Sequence, residues 1–275
     1  MNRTNIATVL IILSLAVSGC VQPSSEDRFN TLYSTLWIQT AAEYEALSLQ
    51  AYNAAERKLP EAIEDRSWTA AVEQGDGYED LPAAIIFDLD ETVLDNSFYE
   101  ARLIHDDENF DPEAWNNWVR EERATALEGA VRFINRAAEL GVELFYITNR
   151  DAEVVEETEA NLRALGIPVA EGSVMANGAQ PNWTSLKVQR RTEVTENHRV
   201  IMIFGDDLND FAPARNLSLE DRRALVHEHV DKWSVKWFML PNPNYGSWER
   251  NLYTGDEQNE LERQQRRLDM LQTLR

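Results

Sequence analysis

LPAAIIFDLDETVLDNS, residues 81–97, joins five apolar residues to two carboxylates one position apart. The five, Ala83-Ala84-Ile85-Ile86-Phe87, have the length of a strand buried on both faces, so Asp88 and Asp90 stand at the mouth of a sheet. Acids this close repel unless a cation or a shared proton offsets them. The spacing therefore favours either a bound metal or an acid and a nucleophile dividing the work. The plainer alternative is an Asp-rich turn, because Asp is also a common turn and cap residue.

The same pattern recurs downstream. Val142 to Ile147 reads as a second strand, ending at Thr148-Asn149-Arg150, and Val200 to Phe204 as a third, ending at Gly205-Asp206-Asp207-Leu208-Asn209-Asp210. Sixty positions separate Asp88 from Thr148, whereas a strand-helix-strand unit needs only about 30 residues. Residues from about 91 to 127 are therefore an insertion, expected as a small cap over the sheet mouth. Its Trp115 and Trp118 fit either the cap's own core or the site beneath it. Gly129 to Leu140, stopped by Gly141, supplies the crossover helix. Asp151 is placed to cap a further helix that ends near Leu165-Gly166-Ile167-Pro168. A strand-to-helix turn with a hydroxyl and free amides, as at Thr148, suits an oxyanion.

Periodic apolar residues over 28–58 predict one long amphipathic helix ending before Pro60, with Trp37 and Tyr52 as packing residues. TSLKVQRRTEVTE, residues 184–196, reads as a helix with Lys187 near its start and Arg190 and Arg191 on a solvated face. Ser218 with Asp221 forms a capping box for the next helix, Lys236 to Leu240 a further strand, and the charged tail from about Asp256 a closing helix.

The chain has 275 residues and a formal charge of −22, from 48 acidic and 26 basic residues. That length suffices for one large α/β domain with an insertion. The charge argues against a nucleic-acid partner but not against a small phosphorylated one, since screening over about 8 Å lets a few local cations set the potential in a pocket. At the N-terminus, Arg3 and the apolar run 5–17, too short to span a bilayer, read as an export signal. Val17-Ser18-Gly19-Cys20 resembles a bacterial lipobox, with cleavage before a lipidated Cys20. An ordinary secretory signal is the alternative, but Cys20 is the sole cysteine and has no disulfide partner. Residues 1–19 are thus expected as signal, 20–27 as tether and 28–275 as the folded domain. Gln22 after the lipidated cysteine would permit an outer-membrane location, on the periplasmic side or the surface.

In an open parallel sheet with right-handed crossovers the carboxyl ends of the strands converge on one crevice, so Asp88, Asp90, Thr148, Asp206 and Asp210 are expected to meet. Oxygen ligands of this kind select a hard cation such as Mg²⁺. The ordered set DLDETVLDNS, FYITNR, Lys187 and GDDLNDF, with FDPEAWNNW in the cap and MLPNPNYGSWE near the C-terminus, resembles the class C acid phosphatases. These are lipoprotein 5′-nucleotidases of the haloacid dehalogenase superfamily, and the likeness spans roughly residues 28–255. It implies an α/β fold with a Rossmann-like parallel sheet between helices and a small α cap. By the same likeness Asp88 is the nucleophile and Asp90 the acid and base. Thr148, Asn149 and Lys187 would bind phosphate, and Asp88, Asp90 (through its carbonyl), Asp206 and Asp210 would hold or orient Mg²⁺. Phe110 and Tyr245 would stack on a nucleoside base, and a homodimer is left open.

Asp207 stands where the family pattern has Asn or Thr, and either tightens the metal site or faces solvent. Two rival readings stay open, a phosphatase for other phosphomonoesters and a non-catalytic lipoprotein that binds nucleotide or metal. An EF-hand reading of DLDETVLDNS fails for want of its glycine and terminal Glu, and His227 and His229 form no phosphatase motif.

Overall fold

The computed structural model describes residues 31–253, 255–257 and 259–273, so the expected signal, Cys20 and the tether lie outside the described residues. The chain opens with helices α1 (Leu32–Thr40) and α2 (Ala42–Glu64) and strand β1 (Ala83–Phe87). The insertion follows as β2 (Leu94–Asp95), α3 (Ser97–Asp106), α4 (Pro112–Arg120) and β3 (Thr125–Ala126). Then come α5 (Ala130–Glu139), β4 (Glu143–Asp151), α6 (Val155–Ala164), β5 (Val174–Asn177), α7 (Val188–Asn197) and β6 (Arg199–Gly205). The chain closes with α8 (Leu219–Glu228), β7 (Trp237–Met239), α9 (Ser247–Arg250) and α10 (Glu260–Met270).

Five strands form one parallel sheet in the order β5-β4-β1-β6-β7. Strand β1 is covered on both faces because its residues alternate between two apolar layers. Ile85 and Phe87 pack with Tyr52 of α2 and Phe133 of α5, while Ala84 and Ile86 pack with Val194 of α7, Phe211 and Trp237. Phe87 stacks on Phe204 at 4.8 Å and on Tyr146 at 5.9 Å across three central strands. From β1 the order runs to β4 and β5 on one side and to β6 and β7 on the other. The direction reverses between β1 and β6, which is where a crevice opens beyond the strand ends. Asp88 and Asp206, each the first residue after its strand, sit at that reversal.

Several expectations need correction. The predicted helix over 28–58 is two helices, broken at Ala41 (φ −86°, ψ 121°). The second continues through Pro60 to Glu64. Pro60 is exposed, so its missing N–H faces solvent, and burial of Leu59 and Ala62 holds the turn around it. Strand β4 runs on past Thr148 with a register shift between Ile147 and Asp151. Its partner β5 is a strand beyond those expected from the sequence. Asp151 makes no cap bond; it accepts from Asn116 Nδ2 of α4 at 3.0 Å and so ties the insertion to the sheet.

Arg199, at the start of β6, settles the end of α2. Its Nη1 donates to the carbonyls of Ala62 (2.9 Å), Asp65 (2.9 Å) and Trp68 (3.0 Å), and its Nη2 to that of Ile63 (2.9 Å). Terminal helix carbonyls otherwise lack partners, and a cation there also suits the helix dipole. Arg199→Met is expected to lower the unfolding free energy by about 2–4 kcal/mol, because it strands several buried carbonyls at once. Denaturant unfolding measures this; a loss under about 0.5 kcal/mol would mean that water replaces the guanidinium without cost.

Candidate active site

Asp88 follows Phe87 directly, and its backbone N–H donates to Phe204 O at 3.0 Å, locking the end of β1 to β6. Its carboxylate is buried, with Oδ1 2.5 Å from Lys187 Nζ and Oδ2 receiving Thr92 Oγ1 at 3.3 Å. Lys187 also reaches Asp210 Oδ1 at 2.6 Å, so one buried ammonium joins residues 99 and 23 positions distant. Lys187 sits at the N-terminal boundary of α7 with φ 61°, a left-handed conformation uncommon outside glycine. Gly205 makes room for this arrangement, since a Cβ there would lie 2.4 Å from the Asp210 carboxylate.

Asp90 is held from a different side. Arg150 Nε (2.9 Å) and Asn96 Nδ2 (3.0 Å) both donate to its Oδ1, while among the described residues Oδ2 has only Thr148 Oγ1 at 3.4 Å. Asn96 Oδ1 in turn accepts from Trp118 Nε1 of α4 at 2.9 Å. The insertion thereby fixes the second carboxylate, and Trp118 belongs to its core, whereas Trp115 lines the cavity.

Asp88, Asp206 and Asp210 each offer a carboxylate oxygen, and these lie within 4.8 Å of one another. Burial, then the neighbouring charges of Asp88 and Asp210, pushes the Asp206 carboxyl well above the usual carboxylate range. Among the described residues it has Asn242 Nδ2 at 2.8 Å and no ion-pair partner. One ammonium serves two of the three acids and leaves Asp206 uncompensated, and all their donor atoms are hard oxygens, so the residues present fit a divalent cation such as Mg²⁺. The Asp90 carboxylate is turned to Arg150 and lies outside this cluster.

Thr148 and Asn149 follow in the irregular part of β4. Thr148 Oγ1 accepts from the Arg150 N–H at 3.0 Å, and Asn149 lines the cavity with its Oδ1 taken by Arg190 Nη2 at 3.0 Å. Arg190 and Arg191 are fully buried, which corrects the solvated face expected for them. Arg190 donates to the carbonyls of Thr148, Met175 (2.8 Å) and Thr184 (2.6 Å). Arg191 pairs with Glu73 at 2.6 Å and donates to Asn209 O (2.7 Å) and Asp210 O (3.2 Å). Consecutive residues of one helix thus brace two different loops of the site. Three cations within five positions of an acidic chain are the sequence signal for this bracing, which a solvated face for Arg190 and Arg191 does not account for.

Asp207 also departs from both readings offered for it, because it meets neither metal cluster nor open solvent. It accepts from the backbone N–H of Asn209 (2.8 Å) and of Ser247 (2.7 Å) and from Ser247 Oγ. Gly246 permits that approach, as a Cβ there would lie 3.1 Å from Asp207 Oδ2. With Asn242 Oδ1, which accepts from Tyr245 N at 3.3 Å, Asp207 holds the loop that presents Tyr245. Phe110, 62% exposed, and Tyr245 both line one cavity of about 900 Å³ that also contains Asp88, Asp90 and Asp206.

A family model described as HAD superfamily, subfamily IIIB (Acid phosphatase) matches residues 21–248. Among solved structures, the chain is similar to the class C acid phosphatase from Bacillus anthracis with tungstate bound. Identity is 30%, the TM-score 0.80, and the match covers 92% of this chain and 99% of that one. A second structure of the class C acid phosphatase from the same organism gives 31% and 0.77, covering 91% and 99%. Among curated proteins, the chain is 28% identical over 163 residues to a stem 31 kDa glycoprotein of Glycine max, covering 58% of each. It is 26% identical over 191 residues to acid phosphatase 1 of Solanum lycopersicum, covering 65% of this chain and 63% of that one. It spans less than two thirds of the length of these curated relatives.

Burial raises the Asp88 carboxyl to about 6; Asp210 and Asp90 add to the rise, and Lys187 opposes it. A carboxyl raised above its unfolded value of about 3.9 stabilises the fold fully only below that value, and the contribution is lost as pH rises through the folded value. In protein stripped of divalent cations, Asp88→Asn is therefore expected to raise the melting temperature at about pH 7.5 and to change it little at about pH 4. Equal shifts at both pH values, followed by calorimetry, would show that the buried charge is not the cause.

Proposed function

The chain belongs to the HAD superfamily, subfamily IIIB acid phosphatases, and from that membership we propose that it hydrolyses phosphomonoesters, nucleoside monophosphates foremost, through an aspartyl-phosphate on Asp88 with Mg²⁺ as cofactor. The observation that carries this reading is the buried Asp88–Lys187–Asp210 bridge at the reversal point of the sheet, beside Asp206. In this proposal an Asp88 oxygen attacks phosphorus and the bond from phosphorus to the leaving oxygen breaks. Asp90 gives that oxygen its proton through Oδ2, the carboxylate oxygen that Arg150 and Asn96 leave open. Asp90 then takes a proton from water, whose oxygen attacks phosphorus and frees the Asp88 carboxylate. Lys187 and the amides around Thr148 and Asn149 neutralise the transferring group, an electrostatic role in which one donor is typically worth about 10²–10³ in rate. Asp88 and Asp206 would hold the cation, with the carbonyl of Asp90, while Asp210 keeps Lys187 in place. When bound, a divalent cation supplies positive charge that keeps the nucleophile ionised and offsets charge on phosphoryl oxygens.

The tungstate in the similar Bacillus anthracis structure supports this reading, as tungstate is a tetrahedral oxyanion like phosphate. Phe110 and Tyr245 supply the reason to prefer nucleotides over other phosphomonoesters, since two aromatic rings at one cavity accept any base by stacking. Export and a lipid anchor at Cys20 complete the proposal.

Hydrolysis of nucleoside monophosphates and an aryl phosphate by the form lacking residues 1–20 is expected to stop with chelator and return with Mg²⁺. Asp88→Asn is expected to lower kcat at least about 10³-fold. Phosphate release that persists through either treatment removes the mechanism. In the full chain, Cys20→Ser is expected to move the protein from the membrane fraction to the soluble one; retention in the membrane would mean that another segment anchors it.

A further inference from the structure

We propose that the active-site cavity contains a second anion subsite, formed by Arg215, Arg250 and Arg263, that receives a second phosphate of a nucleotide substrate. The inference deepens the proposed reaction and rests on it. The cavity extends from Asp88 to residues of α9 and α10, and about 900 Å³ is more room than a single phosphoryl site requires. Its volume lies toward the top of the range of about 300–1,000 Å³ for small-molecule sites.

Charge along its wall is uneven, although Arg150 and Lys187 stand among the acids and Glu249 and Glu260 among the arginines. The acids Asp88, Asp90, Asp206 and Asp210 occupy the sheet end, whereas Arg215, Arg250, Arg263 and Arg267 gather at the wall built from α9, α10 and the loop before α8. Arg267 is already neutralised, with Glu260 at 2.5 Å, Glu249 at 3.5 Å and the Tyr253 hydroxyl at 2.7 Å. The other three are not. Among the described residues the Arg215 and Arg250 side chains make no hydrogen bond or ion pair, and Arg263 has only the ring of Tyr253, 5.2 Å from its guanidinium.

The neighbouring acids are spent elsewhere. Asp207 is bound by Ser247 and Asn209 and lies 3.7 Å from Arg222, while Glu249 and Glu260 serve Arg267. Burial and the adjacent Arg250 charge pull the Arg215 guanidinium below its ordinary range, with Asp207 opposing. Two cations on one cavity wall, near enough for each to feel the other's charge, in a chain with 48 acids to 26 bases, form a place that an anion would stabilise. Guanidinium forks match the oxygens of a phosphate, and such charge-assisted pairs are among the stronger hydrogen bonds.

The test compares kcat/KM for adenosine 3′,5′-bisphosphate and adenosine 5′-monophosphate in the full-length chain and in its R215Q/R250Q double variant. Neither side chain holds the fold together by a hydrogen bond, and an unchanged melting temperature checks this. The ratio of the two kcat/KM values is expected to fall about tenfold in favour of the monophosphate, through KM of the bisphosphate. An unchanged ratio overturns the subsite. Calorimetric binding of the bisphosphate to the Asp88→Asn chain, with and without the two arginines, separates this inference from the reaction it rests on. Binding about tenfold weaker without the arginines supports the subsite even if no turnover is seen, and equal binding overturns it even if turnover is fast.

Discussion

One buried ammonium sets the geometry of this molecule. Lys187 lies between Asp88 at the end of β1 and Asp210 in the turn after β6, and it bonds both. Burial alone would favour losing its proton, but the two carboxylates outweigh that and hold its affinity for the proton above the ordinary lysine range. The carboxylates feel the same low dielectric, so removal of Lys187 would leave two buried charges uncompensated, whereas Lys187 keeps Asp210 if Asp88 is neutralised. Everything else near the site keeps these three groups in register. Gly205 yields the space that Asp210 occupies, and the left-handed turn at Lys187 aims its stem inward.

Register is maintained by arginines whose partners are largely backbone carbonyls. Arg190 and Arg191 project from one helix into different loops, the first gripping Thr148 and Thr184, the second gripping Asn209 and Asp210. Arg150 does for Asp90 what Lys187 does for Asp88, although it reaches across from β4. A planar guanidinium with five donors serves several carbonyls at once, which a lysine does not. The loops at the strand ends are thus rigid where the proposed chemistry needs them rigid. The insertion joins the same system through Asn96, which bonds Asp90 and Trp118, and through Asn116, which bonds Asp151 and Glu153.

How much of this was legible depended on whether a residue's role was local. Apolar runs ending in carboxylates marked β1 and β6, because a doubly buried parallel strand needs little beyond its own residues, and right-handed crossovers then bring the strand ends together. Strand β5 escaped notice since Val174–Asn177 is four residues long and gains its identity only by pairing with β4. The break at Ala41 and the passage of α2 through Pro60 were decided by what packs against them. For Arg190, Arg191 and Asp207 the sequence shows charge but not direction. Apart from Thr184 for Arg190 and the Asn209 amide for Asp207, their partners lie 15 to 118 positions away, and nothing in local spacing reports such a distance.

An overall charge of −22 sits oddly with a pocket for anions until the charges are placed. At the sheet end the acids stand in excess, and three carboxylates within 4.8 Å of one another suit a cation and not an anion. In the proposed reaction the phosphate would be met by Lys187, which two of those acids hold, by a divalent ion and by amides of β4. On the far wall Glu249 and Glu260 are taken up by Arg267, and the guanidiniums of Arg215, Arg250 and Arg263 leave the balance positive. Beyond about 8 Å the remaining surface acids are screened at physiological salt, so a substrate inside the cavity responds to its walls and not to the chain's total. Net charge therefore bears on what the protein repels at long range, and the arrangement of a few buried side chains bears on what it binds.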